Sequence, residues 1–293
     1  MEPVTLEDSQ ENAREEAAVS ASSLQERAQW LRLELLEMVA KSRKGHLPSS
    51  YSATEILIAL FYGKVMRHQR GNPRWSGRDR LIVSKGHAGM AAYPIYADLG
   101  YFAKEELWRF TKADGILRMY PDPSIPGVEA SSGSLGHALG VASGVSLMAR
   151  RDGQDFRSFV LLGDGELYEG SIWETALFAA HNRLDNLVAI VDRNGLCIMG
   201  GTEQLVKLDS VEDKWRAFGW HVVSANGHSF PSLLNAFSQI GKTDGKPLAI
   251  VAHTVEGRGI SFMEHQALWH NKIPSEAQFE QMRSELSSNP VRG

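Results

Sequence analysis

Short runs of apolar residues alternate along this chain with longer stretches in which apolar residues recur every three or four positions. The short runs are typical of buried strands, and the wider spacing is typical of amphipathic helices. The strand candidates are Arg80–Ser84, Phe159–Leu162, Leu187–Asp192, His221–Ala225 and Leu248–Thr254. Helical segments between several of them are Leu135–Arg150, Ser171–Asn182 and Phe230–Gly241. Strands that alternate with helices predict an α/β fold, a parallel sheet with helices on both faces.

The N-terminal part of the chain has a different character. Residues 1–22 are rich in Glu, Ala, Ser and Gln, a composition that predicts a flexible, solvated arm. Helical spacing then predicts an amphipathic helix over Leu24–Val39. A turn is expected at Lys44–Ser50, followed by a second helix that begins at Ser52 or Thr54 and reaches Tyr62.

The remaining sequence predicts one domain. No internal repeat or low-complexity linker divides it, so residues 23–293 are predicted to form a single α/β domain. Within this domain, Tyr101–Gly133 lacks a regular apolar pattern and predicts a loop-rich insertion.

Composition excludes several classes of protein. A net charge of −4 over 293 residues, without a basic cluster, argues against nucleic acid as the main partner. Cys197 is the one cysteine, so an intrachain disulfide cannot form and a reducing, cytoplasmic location is expected. The N-terminus lacks the pattern of a signal peptide, and no apolar stretch is long enough to span a bilayer. We therefore expect no membrane association.

Two polar residues follow two of the predicted strands. Asp164, within Gly163-Asp164-Gly165, ends the run at Phe159–Leu162, and Asn194 follows the run at Leu187–Asp192 after roughly thirty residues. The carboxyl ends of parallel strands share one edge of a sheet, where ligands of such sheets bind. Hard oxygen donors of this kind suit Mg²⁺, which keeps places for phosphate oxygens. The pattern predicts a metal-bridged diphosphate site.

This pattern resembles the signature of thiamine diphosphate enzymes, in which GDG is followed after about thirty residues by Asn. A lone GDG often marks only a tight turn, but the spaced Asn makes the pattern specific. The surrounding short motifs resemble those of the N-terminal subunit of a split transketolase, and the likeness extends from about Leu31 to Ile273. These motifs are Glu169-Gly170, Trp173-Glu174, Leu184-Asp185-Asn186-Leu187 and Asp192-Arg193-Asn194-Gly195. The resemblance implies the diphosphate-binding (PP-domain) fold of that family.

The resemblance also implies a set of cofactor and metal contacts. Asp164 and Asn194 would bind Mg²⁺, or Ca²⁺ or Mn²⁺, through their side chains, and Leu196 would bind it through its main-chain carbonyl. The loop Gly133-Ser134-Leu135-Gly136 would face the cofactor, with further contacts from Gly165 and Glu166. Each feature has a simpler explanation: a turn-forming Asp, an Asn in a left-handed turn, and a helix capped by Ser132 or Ser134.

Three histidines match motifs of the same family. His46 would reach the substrate side of the cofactor, His87 would contact the diphosphate, and His270 would lie between diphosphate and substrate. A group that titrates near neutrality suits the proton transfers of the expected reaction, so His46 and His270 are the candidates for that role. Glu169 matches an acid that couples two sites across a subunit interface, and it equally fits an ordinary acid in the first turn of a helix.

The resemblance further implies that part of the active site lies on another subunit. The glutamate that activates the cofactor lies in a pyrimidine-binding domain, which is expected on a separate, C-terminal subunit, with self-association to an α2β2 assembly. The expected activity is transfer of a two-carbon ketol unit from a ketose or ketose phosphate to an aldose. Several positions depart from the family pattern: Tyr120 replaces a His, Ser49 lies where Gly is usual, Asn271 replaces Gly and Met199 replaces Asp. These departures keep two alternatives open, a thiamine diphosphate enzyme for 2-oxo acids and a non-catalytic regulatory paralogue.

Overall fold

Five parallel strands form the sheet at the centre of the protein. A computed structural model describes residues 20–288. The strands are β1 (Arg80–Val83), β2 (Ser158–Gly163), β3 (Leu187–Arg193), β6 (His221–Asn226) and β7 (Leu248–His253). Their order across the sheet is β1-β2-β3-β7-β6, and each neighbouring pair is parallel. All five predicted strands are therefore confirmed to within a residue at each end. Two short strands, β4 (Leu196–Cys197) and β5 (Gly200–Gly201), form a separate antiparallel ribbon after β3.

Helices cover both faces of this sheet. They are α1 (Ala21–Ser42), α2 (Leu47–Ser52), α3 (Thr54–Tyr62), α4 (Ala92–Asp98), α5 (Ala138–Arg151), α6 (Gly170–His181), α7 (Thr202–Leu205), α8 (Val211–Ala217), α9 (Phe230–Phe237) and α10 (Glu276–Ser288). Short segments of 3-10 helix lie at Gly86–Ala91, Lys104–Arg109, Gly165–Tyr168 and Ala267–Trp269.

Successive residues of each strand enter two different cores. Phe159 and Leu161 of β2 pack in one core with α1, α3, α9 and α10. Val160 and Leu162 pack in the other core with α5, α6 and α8. Strands buried on both faces read as continuous apolar runs, which is why β2 and β3 were visible in the sequence. The predicted α/β fold with helices on both faces is confirmed.

Some element boundaries differ from the prediction. Leu47–Ser52 forms α2 where a turn was expected, because Pro48 fits the first turn of a helix and all six residues are buried. Helix α5 begins at Ala138 and not at Leu135, since Gly133 and Gly136 adopt positive φ angles of 122° and 85°. Helix α9 ends at Phe237, four residues before the predicted Gly241.

The predicted N-terminal arm falls almost wholly outside the described residues, as does the end of the predicted domain beyond Ser288. The last residues of that arm belong to α1, which begins at Ala21 after an N-cap at Ser20, whose side chain accepts from Ser23 N at 3.1 Å. In the predicted insertion at Tyr101–Gly133, the 3-10 turn Lys104–Arg109 is the regular element described. Between residues 20 and 288, no helix is both long enough and apolar enough to cross a membrane.

Candidate functional site

The candidate site lies at the carboxyl ends of β1, β2 and β3. His87 follows β1, Asp164 follows β2 and Asn194 follows β3. The register pairs Gly163 with Asp192, and Asp164 N donates to Asp192 O at 3.2 Å. The sheet topology therefore places all three predicted residues at one edge, as the sequence pattern required.

Asp164 is a buried carboxylate that receives donors from two loops. The residue is 1% exposed. Oδ1 accepts from Gly165 N at 2.8 Å, and Oδ2 accepts from Gly195 N at 2.7 Å and from the Arg193 guanidinium at 3.0 Å. Burial raises the pKa of Asp164, although the Gly195 N–H and the Arg193 charge oppose that shift. The carboxylate thus joins the turn after β2 to the turn after β3.

The turn after β3 brings the other two predicted ligands beside Asp164. Asn194 is half-buried, and its Oδ1 accepts from Leu196 N at 2.9 Å. Gly195 has a φ of 78°, a left-handed conformation that residues with side chains rarely adopt. Leu196 begins the antiparallel ribbon, in which it pairs with Gly201. The alternative explanation of Asn194 as the left-handed residue is wrong, because the positive φ belongs to Gly195.

Gly165 is required by a contact within the protein. A Cβ at this position would come within 2.9 Å of Cys197 Cβ. The segment that follows is the 3-10 turn Gly165–Tyr168, and the α-helix begins only at Gly170. One 3-10 turn therefore separates the GDG turn from the N-terminus of α6.

Glu166 connects the GDG turn to the loop before α5. Its buried carboxylate accepts from Gly136 N at 2.7 Å, from Gly163 N at 3.2 Å and from the Ser84 hydroxyl. Burial raises the pKa of Glu166, and the Ser84 and Gly136 hydrogen bonds oppose the shift. The side chain of this predicted cofactor contact is directed into the protein, where it fixes the loop geometry.

The loop Gly133-Ser134-Leu135-Gly136 lies against the turn after β1. A Cβ on Gly86 would come within 2.5 Å of Gly133 N, and a Cβ on Gly133 would meet the Tyr120 ring at 3.3 Å. Gly133 and Ser134 are exposed, and Ser134 Oγ lies 3.2 Å from His137 Nδ1. The N-cap of α5 is His137, without a side-chain hydrogen bond, so the capping explanation of Ser132 or Ser134 is wrong.

The three predicted histidines are brought together. Ring centroids lie 5.7 Å apart for His46 and His87, 6.0 Å for His46 and His270, and 5.0 Å for His87 and His270. Burial lowers the pKa of His46. Burial together with the nearby Lys85 charge holds the pKa of His87 well below its usual range. Near neutral pH both rings are therefore uncharged.

Glu169 lies apart from the histidine cluster. It is exposed at the N-cap of α6. Its side chain lies close to Gly136, since a Cβ added to Gly136 would come within 2.7 Å of Glu169 Cβ. Both explanations of this residue fit that place, because an acid at a helix N-terminus is stabilising and an exposed acid is accessible to a second subunit.

Glu256 and Ser49 belong to the site but were not predicted. Glu256 Oε1 lies 2.7 Å from His270 Nδ1 and accepts from Ser49 Oγ at 2.8 Å. Ser49 and Glu256 are 207 positions apart in the chain, so no local pattern could indicate the contact. In the sequence, the only indication of this contact was that Ser49 stands where the family pattern has Gly.

The oxygen donors suit a hard divalent cation. Within residues 20–288, no group of three or more His, Cys, Asp or Glu side chains could hold a metal ion. The predicted donors are instead one carboxylate, one amide and one main-chain carbonyl. Asp164 is nearly fully buried and accepts from neutral N–H groups and from Arg193, which leaves lone pairs on both of its oxygens. These residues fit a cation that completes its coordination with phosphate oxygens.

Comparisons with known proteins agree with this arrangement. The family model described as the transketolase thiamine diphosphate binding domain matches residues 23–292. The chain is 39% identical over 256 residues to one subunit of the apulose-4-phosphate transketolase of Phocaeicola vulgatus, covering 87% of this chain and 91% of that protein. It is 38% identical to the 6-deoxy-6-sulfo-D-fructose transketolase subunit SqwG of a Clostridium species, covering 90% and 96%.

Full-length transketolases match over a part of their length. The chain is 37% identical to human transketolase, covering 91% of this chain and 42% of that protein. The transketolase structure from Campylobacter jejuni superposes with a TM-score of 0.85 at 30% identity, covering 93% of this chain and 44% of that one. The chain therefore spans less than half of a full-length transketolase.

These matches establish the class: the chain belongs to the transketolase family and contains its thiamine diphosphate-binding domain. Within that family it matches separate transketolase subunits along nearly their whole length. The resemblance to the N-terminal subunit of a split transketolase and the diphosphate-binding fold are both confirmed.

Proposed function

We propose that this chain is the diphosphate-binding subunit of a two-component transketolase, which transfers a two-carbon ketol unit from a ketose or ketose phosphate to an aldose. One observation carries the proposal: the buried Asp164 carboxylate joins the turns after β2 and β3 at the sheet edge, inside a chain that matches 91% and 96% of two transketolase subunits. A location in the cytoplasm is part of the proposal, and the single cysteine supports it.

The residues divide into those that hold the cofactor and those that move protons. Asp164 and Asn194, with the carbonyl of Leu196, would hold Mg²⁺, or Ca²⁺ or Mn²⁺, against the diphosphate of thiamine diphosphate. Gly165, the main chain of Glu166 and the loop Gly133-Ser134-Leu135 would lie against the cofactor. When bound, the cofactor supplies the electron sink that carbon–carbon bond cleavage requires.

Proton transfer falls to the histidine cluster. His46 and His270 would accept and return protons at the substrate oxygens, because both lie beside His87 in the loops that surround the site. His87, with its strongly lowered pKa, stays neutral and would donate a ring N–H to the diphosphate. Glu169 would act across a subunit interface, in keeping with its exposed position at the start of α6.

Exposed apolar side chains support a partner subunit. Tyr120, Ile198, Met199 and Leu268 are 43%, 59%, 78% and 85% exposed in or next to the loops of the site. A soluble protein seldom exposes such side chains together unless another chain covers them. A pyrimidine-domain subunit bound there would complete the site. A second apolar surface on α5 and α6, formed by Val141, Met148, Leu177 and Phe178, would allow self-association to α2β2.

Reconstitution tests the division of labour. The isolated chain is expected to show negligible turnover with any ketose donor, and activity is expected on mixing it with the companion subunit, thiamine diphosphate and Mg²⁺. The companion alone serves as the control. Full activity from the isolated chain would refute the two-component proposal.

Tyr120 favours a second candidate, a thiamine diphosphate enzyme that acts on 2-oxo acids. Its ring packs against Gly133 where the family pattern has a histidine for the ketose. A donor screen with the reconstituted pair, comparing ketoses, ketose phosphates and 2-oxo acids, separates the two candidates. Cofactor binding without turnover of any donor would instead identify a regulatory paralogue.

A further inference from the structure

Glu256 is a buried carboxylate that connects three segments of the site. It lies in the loop after β7 and is 1% exposed. Its Oε1 receives the Ser49 hydroxyl of α2 at 2.8 Å and lies 2.7 Å from Nδ1 of His270, which follows the turn Ala267–Trp269. We propose that Glu256 is a positioning residue, which fixes the His270 ring and stabilises its protonated form; this inference rests on the function proposed above.

The partners fix which ring nitrogen carries hydrogen. A carboxylate and a main-chain carbonyl only accept hydrogen bonds. Nδ1 of His270 therefore donates to Glu256, and Nδ1 of His46 donates to the His270 carbonyl at 3.1 Å. In both rings Nε2 remains as the nitrogen that can take a proton, and within residues 20–288 neither Nε2 has a hydrogen-bond partner. One chain of contacts, Ser49 to Glu256 to His270 to His46, sets both tautomers.

Among the described residues, no Lys or Arg side chain balances the charge of Glu256. In that part of the chain neither Lys nor Arg pairs with it, and Oε2 lacks a hydrogen-bond partner. A buried carboxylate that receives only neutral donors is unfavourable unless a positive charge forms beside it. A proton taken up at His270 Nε2 makes that charge at hydrogen-bond distance. The Glu256 carboxylate is therefore placed to stabilise a proton taken up at His270 Nε2.

The other groups near His270 act in the opposite direction or are already paired. His46 and His87 approach it from the loop before α2 and from the turn after β1. Lys85 lies behind His87, where its ammonium group pairs with Asp192. Glu256 is thus the one described acid in contact with the cluster, so removal of its charge should affect His270 directly.

The hydrogen bond from Ser49 bears on whether Glu256 positions His270 or only holds the loops together. The family pattern has Gly at this position, which has no hydroxyl to donate, so the serine adds a hydrogen bond to the oxygen that receives His270. A purely structural Glu256 would need only its size and its hydrogen bonds, both of which glutamine keeps. A positioning Glu256 needs its negative charge.

The first experiment observes the His270 ring directly in the full chain. Protein labelled with ¹⁵N-histidine is compared as wild type, Glu256→Gln, Ser49→Ala and the control Glu212→Gln, with His270→Gln to assign the signals. Glu212 also contacts a histidine, His253, at 3.0 Å, but on the surface. We expect the Nδ1–H tautomer in the wild type and the control, and deprotonation of the His270 ring at a lower pH in Glu256→Gln than in the wild type. An unchanged His270 titration in Glu256→Gln would overturn the inference.

The second experiment uses the reconstituted pair. Glu256→Gln should lower kcat by about tenfold or more, since a positioned general base contributes on the order of 100-fold or more. The acid limb of the kcat–pH profile should move to lower pH, with KM and the cofactor Kd nearly unchanged, and Glu256→Asp should restore part of the rate. A loss of melting temperature with an unchanged pH profile would instead show a structural role. If no donor is turned over, the proposed function fails while the NMR result still decides the inference.

Discussion

Two groups of buried carboxylates in this protein have opposite electrostatic characters. Between the helices, Glu55 is fully buried and pairs with Arg32 at 2.7 and 2.9 Å and with His228 Nδ1 at 2.9 Å. At the sheet edge, Asp164 and Glu166 are also buried but depend mainly on N–H and hydroxyl donors. Burial would raise the pKa of Glu55, yet Arg32 and His228 outweigh it and hold that pKa at about 2.

The difference separates scaffold from site. The negative charge of Glu55 is neutralised within the fold, so it has nothing left to offer a ligand. Burial raises the pKa values of Asp164 and Glu166, even though Arg193 pairs with Asp164, so the fold compensates their charges less fully than the charge of Glu55. Perturbed acids in this condition are typical of functional sites, because a cation or a proton can supply what the fold does not.

The largest effect is expected from breaking the scaffold group. Arg32→Met should destabilise the protein by about 3–5 kcal/mol, because it leaves the Glu55 charge buried without its main partner. Chemical denaturation of the full chain measures this. Arg216→Met is the matched control, since its pair with Asp213 is exposed on both sides and should contribute less than about 1 kcal/mol. Equal losses in the two variants would contradict the comparison.

Asp164→Asn should weaken cofactor binding more than it destabilises the fold. In the proposed function Asp164 is the single anionic ligand, so its loss should weaken Mg²⁺-dependent binding of thiamine diphosphate by about 100-fold or more. The free energy of unfolding should fall by about 1–3 kcal/mol, because the asparagine NH2 group replaces an oxygen that accepts an N–H donor in the wild type. Titration calorimetry and denaturation test the two parts, with the exposed Asp185→Asn as control. Unchanged affinity would remove Asp164 as a ligand.

His46→Ala should lower turnover without comparable loss of binding. In the proposed function the ring takes part in proton transfer, so kcat of the reconstituted pair should fall by roughly 10- to 100-fold while the cofactor Kd changes by less than about threefold. The exposed His181→Ala, at the end of α6, should leave both values unchanged. Equal rates for His46→Ala and wild type would reduce His46 to a structural residue.

The smallest effect is a difference in pH dependence. The low pKa of Glu55, about 2 against 4.5, means that its stabilisation is present above pH 4.5 and is lost as the pH falls toward 2. Glu166 has a raised pKa, so its contribution is present below 4.5 and is lost as the pH rises through the raised value. Glu166→Gln should therefore gain stability relative to wild type as the pH rises through that window. Denaturation at several pH values measures the free energy of unfolding of both proteins. A loss of stability of Glu166→Gln relative to wild type over the same pH range would contradict this prediction.

The sheet, and the residues at the carboxyl ends of its strands, could be predicted because their signals are local. Each strand is an apolar run, and Asp164 and Asn194 stand directly at the ends of two runs. Helix α2 was missed because Gly45, Pro48 and the serines after it are turn formers, while burial decides their conformation. The role of Glu256 was out of reach, because Ser49 and His270 meet it only after the chain has folded.

The contact between Gly86 and Gly133 limits how this site can change. Neither loop can gain a side chain there, since a Cβ on Gly86 would lie 2.5 Å from Gly133 N. The two loops must therefore be inherited or transplanted as a pair in any chimaera. Outward positions such as Tyr120, which is 43% exposed, are where a library could vary the surface of these loops.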